Sequence, residues 1–128
     1  MEQCAYISGS RVSRGAHLVT ASMDSIAFSN PTKVGDVLYV TAQVSAIFGS
    51  SLEVMISVHG ESPHQGAMFK CGNAFATIVS VDAGGDPVEV PFALEPSTEA
   101  EAACMQVWRV YGHVFRFFSA CLRPYLLY

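Results

Sequence analysis

Charge is scarce in this sequence, and positive charge scarcer still: 14% of the 128 residues are charged, with seven Lys and Arg against eleven Asp and Glu. A net charge of −4 leaves no basic stripe, which excludes nucleic acid as a partner. Cysteine is sparse and scattered. Cys4, Cys71, Cys104 and Cys121 form no C-x-x-C pair, so buried or idle thiols are expected rather than a zinc or redox site. Reduced thiols fit an intracellular compartment, mitochondrial or cytoplasmic. Met1–Arg14 has no uninterrupted apolar core and carries Glu2 near its start, unlike a secretory leader or a mitochondrial presequence. No internal repeat is visible, and the length leaves room for one domain.

What is present is apolar. Half of the residues are hydrophobic, and a chain of this size buries roughly two-thirds of its unfolded surface, enough for a real core. Met1–Arg14 reads as a helix with Cys4, Ala5 and Ile7 on its buried face, weakened toward a stop by Gly9 and Gly15. From His17 the period becomes two. In Val19–Phe28 the apolar set falls on Val19, Ala21 and Met23, opposite Thr20, Ser22 and Asp24, and then shifts to Ile26 and Phe28. Such a phase change predicts a β-bulge.

Asn30-Pro31 and Gly35-Asp36 punctuate the chain before the next strand, Asp36–Phe48, whose apolar face is Leu38, Val40, Ala42, Val44, Ala46 and Phe48. A short hairpin at Gly49-Ser50-Ser51 leads to Leu52–Val58, with Leu52, Val54, Ile56 and Val58 inward and Glu53, Ser57 and His59 outward. Gly60–Gly66 reads as a loop and Ala67–Val81 as a long final strand with small Gly72, Ala74 and Ala76 at its middle. Small residues there predict close packing, most simply of a helix.

Beyond the turn at Asp82–Pro87, Thr98 and Glu101 make a capping box that opens a helix near Glu99. In Met105–Tyr128, Arg109, His113 and Arg116 recur at helical spacing on one stripe. A charge at the bilayer centre costs roughly 2.5–3.5 kcal/mol, which disfavours a span. An amphipathic helix packed on the sheet or a partner is expected, with interfacial membrane contact the lesser reading. The reading is α+β: one helix, four consecutive antiparallel strands, then a C-terminal helix.

The stretches HLVTASMDSIAFSNPTKVGDVL and VTAQV…SSLEVMISV are similar to the middle of acyl-CoA thioesterases, and MEQCAYISGSRV resembles the second half of that family's long helix. The resemblance covers roughly 1–95 and is closest to the two-hotdog type. It implies a hotdog fold, in which a curved antiparallel sheet wraps a long helix. This sequence has no H-G-G or F-G-G turn before the helix, no first strand and no Asn or Asp in that loop. The resemblance therefore implies an N-terminally truncated hotdog domain over 1–95, followed by a tail over 96–128.

The family's activity is hydrolysis of acyl-CoA to free CoA and a carboxylic acid, without metal or redox cofactor. Carried onto this sequence, Glu2 matches the helix carboxylate that acts as base or nucleophile, and Ser22 a hydroxyl that orients water. Main-chain N–H groups at the helix start would polarise the thioester carbonyl. Asp24 reads either as an anchor for the site or as a cap for the bulge. Gly49, Ser50 and Ser51 match a hairpin that approaches CoA in relatives, although a hairpin needs small polar residues in any case. Arg11, Arg14, Lys33 and Lys70 are candidates for the CoA phosphates, with solvated side chains the plainer reading. His59 and His64 flank a loop without the further ligands that zinc needs. The partners implied are acyl-CoA or CoA and another hotdog domain, the latter because a sheet lacking its first strand exposes an edge that invites pairing. The competing reading is a non-catalytic hotdog lobe that contributes half of a CoA-binding cleft.

Overall fold

The structure, a computed structural model, describes residues 1–14, 16–63, 66–91, 94–95 and 99. The chain divides into two units, Met1–Ala93 and Leu94–Tyr128. The expected C-terminal helix and its cationic stripe lie outside the described residues, Glu99 apart. Among the described residues no helix is long and apolar enough to cross a membrane.

The first unit is helix α1 (Glu2–Ser13) followed by four strands, β1 (His17–Phe28), β2 (Val37–Phe48), β3 (Ser51–Ser62) and β4 (Ala67–Val81). They form one antiparallel sheet in the order β1-β4-β3-β2. With α1 packed on it, this is the hotdog arrangement that the sequence led us to expect.

Helix α1 ends at Arg14, which adopts the left-handed conformation (φ 48°, ψ 44°). Its buried residues are Ala5, Gly9 and Ser13, one stripe at i, i+4 and i+8. Of the expected face Ala5 is buried, but Cys4 is half-buried and Ile7 is 54% exposed, with Tyr6 beside it at 43%. The reason is proximity. A β-carbon on Gly9 would stand 3.2 Å from Leu18 Cδ1 and 3.6 Å from Ile78 Cδ1. The small stripe lets the helix backbone settle on the sheet, and the larger apolar side chains are turned aside.

That contact identifies the helix-facing side of the sheet, because cross-strand partners share a face and neighbours alternate. Thr20 pairs with Ile78, and Ile78 with Leu52; Val44, Val54, Ala76 and Met23 form another row. Leu52, Val54, Ile56, Ala74 and Ile78 have no exposed surface and form the core. Strand β3 runs further than the sequence indicated. Gly60 and Ser62 pair with Phe69 and Ala67, so the loop is shorter than Gly60–Gly66.

Strand β1 bulges as predicted, with register slips between Thr20 and Ser22 and between Asp24 and Ala27. Its first phase is the reverse of the expected one. Leu18 is buried and Thr20 half-buried, while Val19 and Ala21 are exposed. An edge strand leaves one side to water, so apolar identity alone does not reveal the inward residues. A further slip, between Val44 and Ala46 on β2, had no signal in that strand's clean alternation.

Candidate functional site

Helix α1 begins with Met1 as its cap residue and no side chain capping its first N–H groups. Those groups have no partner within the helix until Ala5, whose N–H donates to the Met1 carbonyl at 3.1 Å. This end of a helix carries partial positive charge and favours developing negative charge nearby. Glu2 stands in the same turn, exposed.

Beside it lies a shallow, open depression of about 370 Å³ lined by Glu2, Gln3, Tyr6, Ile7 and Thr20. The helix supplies the first four at one-turn spacing, and β1 supplies Thr20 from the edge of the sheet. A carboxylate-bearing and a hydroxyl-bearing residue thus share a depression whose remaining lining is Gln3, Tyr6 and Ile7. General-base attack on a carbonyl calls for such a pair: a proton acceptor and an orienting hydroxyl.

The structure distributes the expected site residues unevenly. Glu2 lies in the depression. Ser22 does not line it; the Ser22 hydroxyl donates to the Asp24 carboxylate at 2.7 Å. The two residues sit between the slips of β1, where Ser22 pairs with Thr77 and Asp24 with Phe75. Thr20 was missed because its polarity put it on the outer side, the bulge being expected only beyond Met23. The bulge signal itself, read as reversing the phase earlier, would have found it.

Gly49 and Ser50 form a two-residue turn between the paired residues Phe48 and Ser51. Gly49 has φ 60°, a left-handed conformation that glycine adopts at little cost. The turn's carbonyls are engaged: Val90 N–H donates to the Gly49 oxygen at 2.9 Å and Ser80 N–H to the Ser50 oxygen at 2.8 Å. Ser51 pairs with Val79, which pairs with Val19. The hairpin is thus two strand spacings, about 10 Å, across the sheet from β1, and none of its residues lines the depression.

Among the cationic candidates, Lys33 and Lys70 are tied by their backbones. Lys33 N–H donates to the Asp36 carboxylate at 2.8 Å, and the Lys70 carbonyl accepts from Asn30 Nδ2 at 2.8 Å. His59 is half-buried on β3 between Tyr39 and Lys70; His64 lies outside the described residues.

One buried side chain escaped the sequence reading. Glu53 was expected outward and does lie on the face opposite the helix, yet it is 7% exposed. Burial pushes its carboxyl up to about 7, against the opposing pull of the Ser45 hydroxyl, which approaches it at 3.2 Å. Strand alternation says which face a residue takes, not whether that face is covered.

Comparison with known proteins adds a family. The sequence profile described as thioesterase superfamily matches residues 1–67. An uncharacterized acyl-CoA thioester hydrolase of Bacillus subtilis, YkhA, is 36% identical over 101 residues, 79% of this chain and 58% of its own length. Mouse acetyl-coenzyme A thioesterase is 31% identical over 86 residues, 66% of this chain and 16% of its own length. This chain therefore spans little more than half of the one relative and a sixth of the other. Among solved structures, an acyl-CoA hydrolase from Bacillus cereus superposes with a TM-score of 0.81 at 29% identity, covering 100% of this chain and 79% of that one. The acyl-CoA hydrolase from Staphylococcus aureus, solved with butyryl coenzyme A, coenzyme A and coenzyme A disulfide, gives 0.77 at 29% identity, covering 99% and 78%.

Proposed function

The chain belongs to the thioesterase superfamily, and from that premise we propose that it hydrolyses acyl-CoA to free CoA and a carboxylic acid in the depression beside the first turn of α1. The observation that carries this reading is that Glu2 and Thr20 line one depression between α1 and the edge of the sheet. In the proposed reaction the thioester carbonyl rests against the free N–H groups of that turn. Thr20 orients a water molecule, and Glu2 takes its proton as the oxygen attacks the carbonyl carbon. The C–O bond forms, negative charge gathers on the carbonyl oxygen facing the backbone donors, and the C–S bond then breaks. The departing CoA thiolate recovers the proton from Glu2. One such donor is worth roughly 2.7–4 kcal/mol in related chemistry.

In this proposal Ser22 and Asp24 hold the bulge that presents Thr20, as their mutual hydrogen bond favours. The Gly49–Ser51 hairpin is assigned to the CoA arm of a paired hotdog domain, because it stands two strands away from Thr20 in its own sheet. Pairing is supported by the edges of the sheet at β1 and β2 and by a hexameric acyl-CoA thioesterase among the similar solved structures. The domain limits are proposed as 1–95 and 96–128. Free Cys4 and Cys71 support a reducing intracellular setting.

The test is thiol release from a panel of acyl-CoAs by the purified chain. Turnover that disappears in Glu2→Ala supports the proposal. A thermal shift with CoA and no turnover on any acyl-CoA would replace it with a non-catalytic, CoA-binding lobe.

A further inference from the structure

Glu53 takes no part in the chemistry above, yet among the described residues it is the one carboxylate that the fold buries. The Ser45 hydroxyl reaches it at both ends, 3.2 Å from Oε2 and 3.2 Å from the Glu53 carbonyl oxygen. Ser45 is the residue skipped where β2 slips against β3, between Val44 and Ala46. On the other side Glu53 pairs with Thr77, and Thr77 pairs with Ser22, the residue immediately after the slip that follows Thr20. A single row, Ser45–Glu53–Thr77–Ser22, therefore crosses all four strands and is bulged at both edges of the sheet. The neighbouring row is Thr20–Ile78–Leu52, and its first member lines the depression. Bulges bend a strand, raise its local twist and re-aim the side chains beside them. Two of them on one row, with a hydrogen-bonded carboxylate between, make that row the place where the aim of Thr20 is set.

We propose that Glu53 is a positioning residue for the α1 depression: gripped by Ser45, it fixes the doubly bulged row that points Thr20 toward Glu2, and loss of its proton loosens that aim. The proposal rests on the hydrolytic reading of the depression.

The described neighbours in the sheet favour control by Glu53 itself. Strand β2 faces it with Ser45 and Ala46 and β4 with Thr77, none of them titratable. On β1 the carboxylate two residues beyond Ser22 on the same face, Asp24, is occupied by the Ser22 hydroxyl. Helix α1 packs against the opposite face. Burial keeps the Glu53 carboxyl at about 7, so it is protonated at pH 6 and ionised at pH 8. Among the described residues the ionised form has one hydroxyl, that of Ser45, for company, and the row must give to admit water.

Two measurements on the full chain test this. The first is kcat and KM for a short-chain acyl-CoA from pH 5.5 to 9. The expected wild-type result is a three- to tenfold fall in kcat centred near pH 7 with KM nearly constant. Glu53→Gln, which copies the neutral form, is expected to hold the low-pH kcat throughout. Ser45→Ala, which removes both the grip on Glu53 and the hydroxyl that favours ionisation, is expected to lower kcat below pH 7 and to move the remaining fall to higher pH. The second is amide hydrogen exchange at 20–23, read as the protection of wild type relative to Glu53→Gln, with an expected drop of about tenfold between pH 6 and pH 8. A fall in kcat that survives unchanged in Glu53→Gln overturns the proposal, as does a relative protection that does not vary with pH. A chain without turnover whose 20–23 amides still answer to Glu53 would sink the hydrolytic reading and leave the positioning role standing.

Discussion

The carbonyl oxygen of Ala27 lies directly over the α-carbon of Gly72, so that a β-carbon on Gly72 would collide with it. The small middle of β4 was expected to admit a helix. At Gly72 it admits instead the bulged end of β1, whose backbone dips toward β4 after the slip between Asp24 and Ala27. Gly72→Ala is therefore expected to destabilise the domain by about 1–3 kcal/mol, the usual cost of overpacking where backbone rather than a mobile side chain must move. Urea unfolding should show a lower midpoint at an unchanged slope. An unaltered midpoint would mean that β1 does not approach β4 this closely.

Thr20 and Ser22 are two residues apart on one strand and chemically alike, yet the bulge between them gives them different surroundings. Thr20→Val keeps the shape and removes the hydroxyl, and should lower kcat roughly 10- to 100-fold for a group that orients the attacking water. Ser22→Ala should leave kcat within about threefold. Steady-state kinetics on one acyl-CoA substrate decides the matter, and equal losses in both variants would contradict the assignment of Thr20.

Most of the architecture was legible in the sequence. Period-two alternation from Leu38 to Phe48 and from Leu52 to Val58 gave two strands and the inward face of the second, and the apolar switch at Met23 and Ile26 announced a distorted β1; on β2 the slip after Val44 turns Ala46 and Phe48, expected inward, to the face of Glu53 and Ser51. What could not be read was depth. Ile7 is more apolar than Gly9 but is exposed, because the helix comes too near the sheet for it. Glu53 alternates as an outward residue but is buried. Glu2 is proposed from its place in a family motif, whereas Thr20 needed the register of β1 against β4, which sets the first slip ahead of Ser22 where the apolar switch had pointed past Met23.

The close seat of α1 yields its own prediction. Alanine at Gly9 gains about 0.8–1 kcal/mol of helix propensity, and its methyl meets the movable end of Leu18 at 3.2 Å, so the two effects should nearly cancel. Leucine at the same position has nowhere to go. Gly9→Leu should lift the helix and cost about 3 kcal/mol or more, beyond the common range for overpacking because the whole element moves. Thermal unfolding of the two variants side by side gives the contrast; similar midpoints would place Gly9 away from the sheet.

Stability should also depend on pH through Glu53. The ordinary value for such a carboxyl is 4.5, and burial raises it in the folded protein to about 7. Between these values the folded chain holds a proton that the unfolded chain has released. Stability therefore declines as pH rises from about 4.5 to 7 and levels off above it. The unscreened limit is about 3 kcal/mol, and partial access of solvent to the carboxylate reduces the expected decline to about 1–2 kcal/mol. Glu53→Gln should remove the decline, since the amide oxygen can still accept from Ser45 and carries no charge at any pH. Urea midpoints at pH 5, 6, 7 and 8 should converge for wild type and variant at the acid end and separate at the alkaline end, the variant being the more stable. Parallel curves would show that the pH dependence arises elsewhere, and a wild type that gains stability toward pH 8 would mean that Glu53 folds in its charged form.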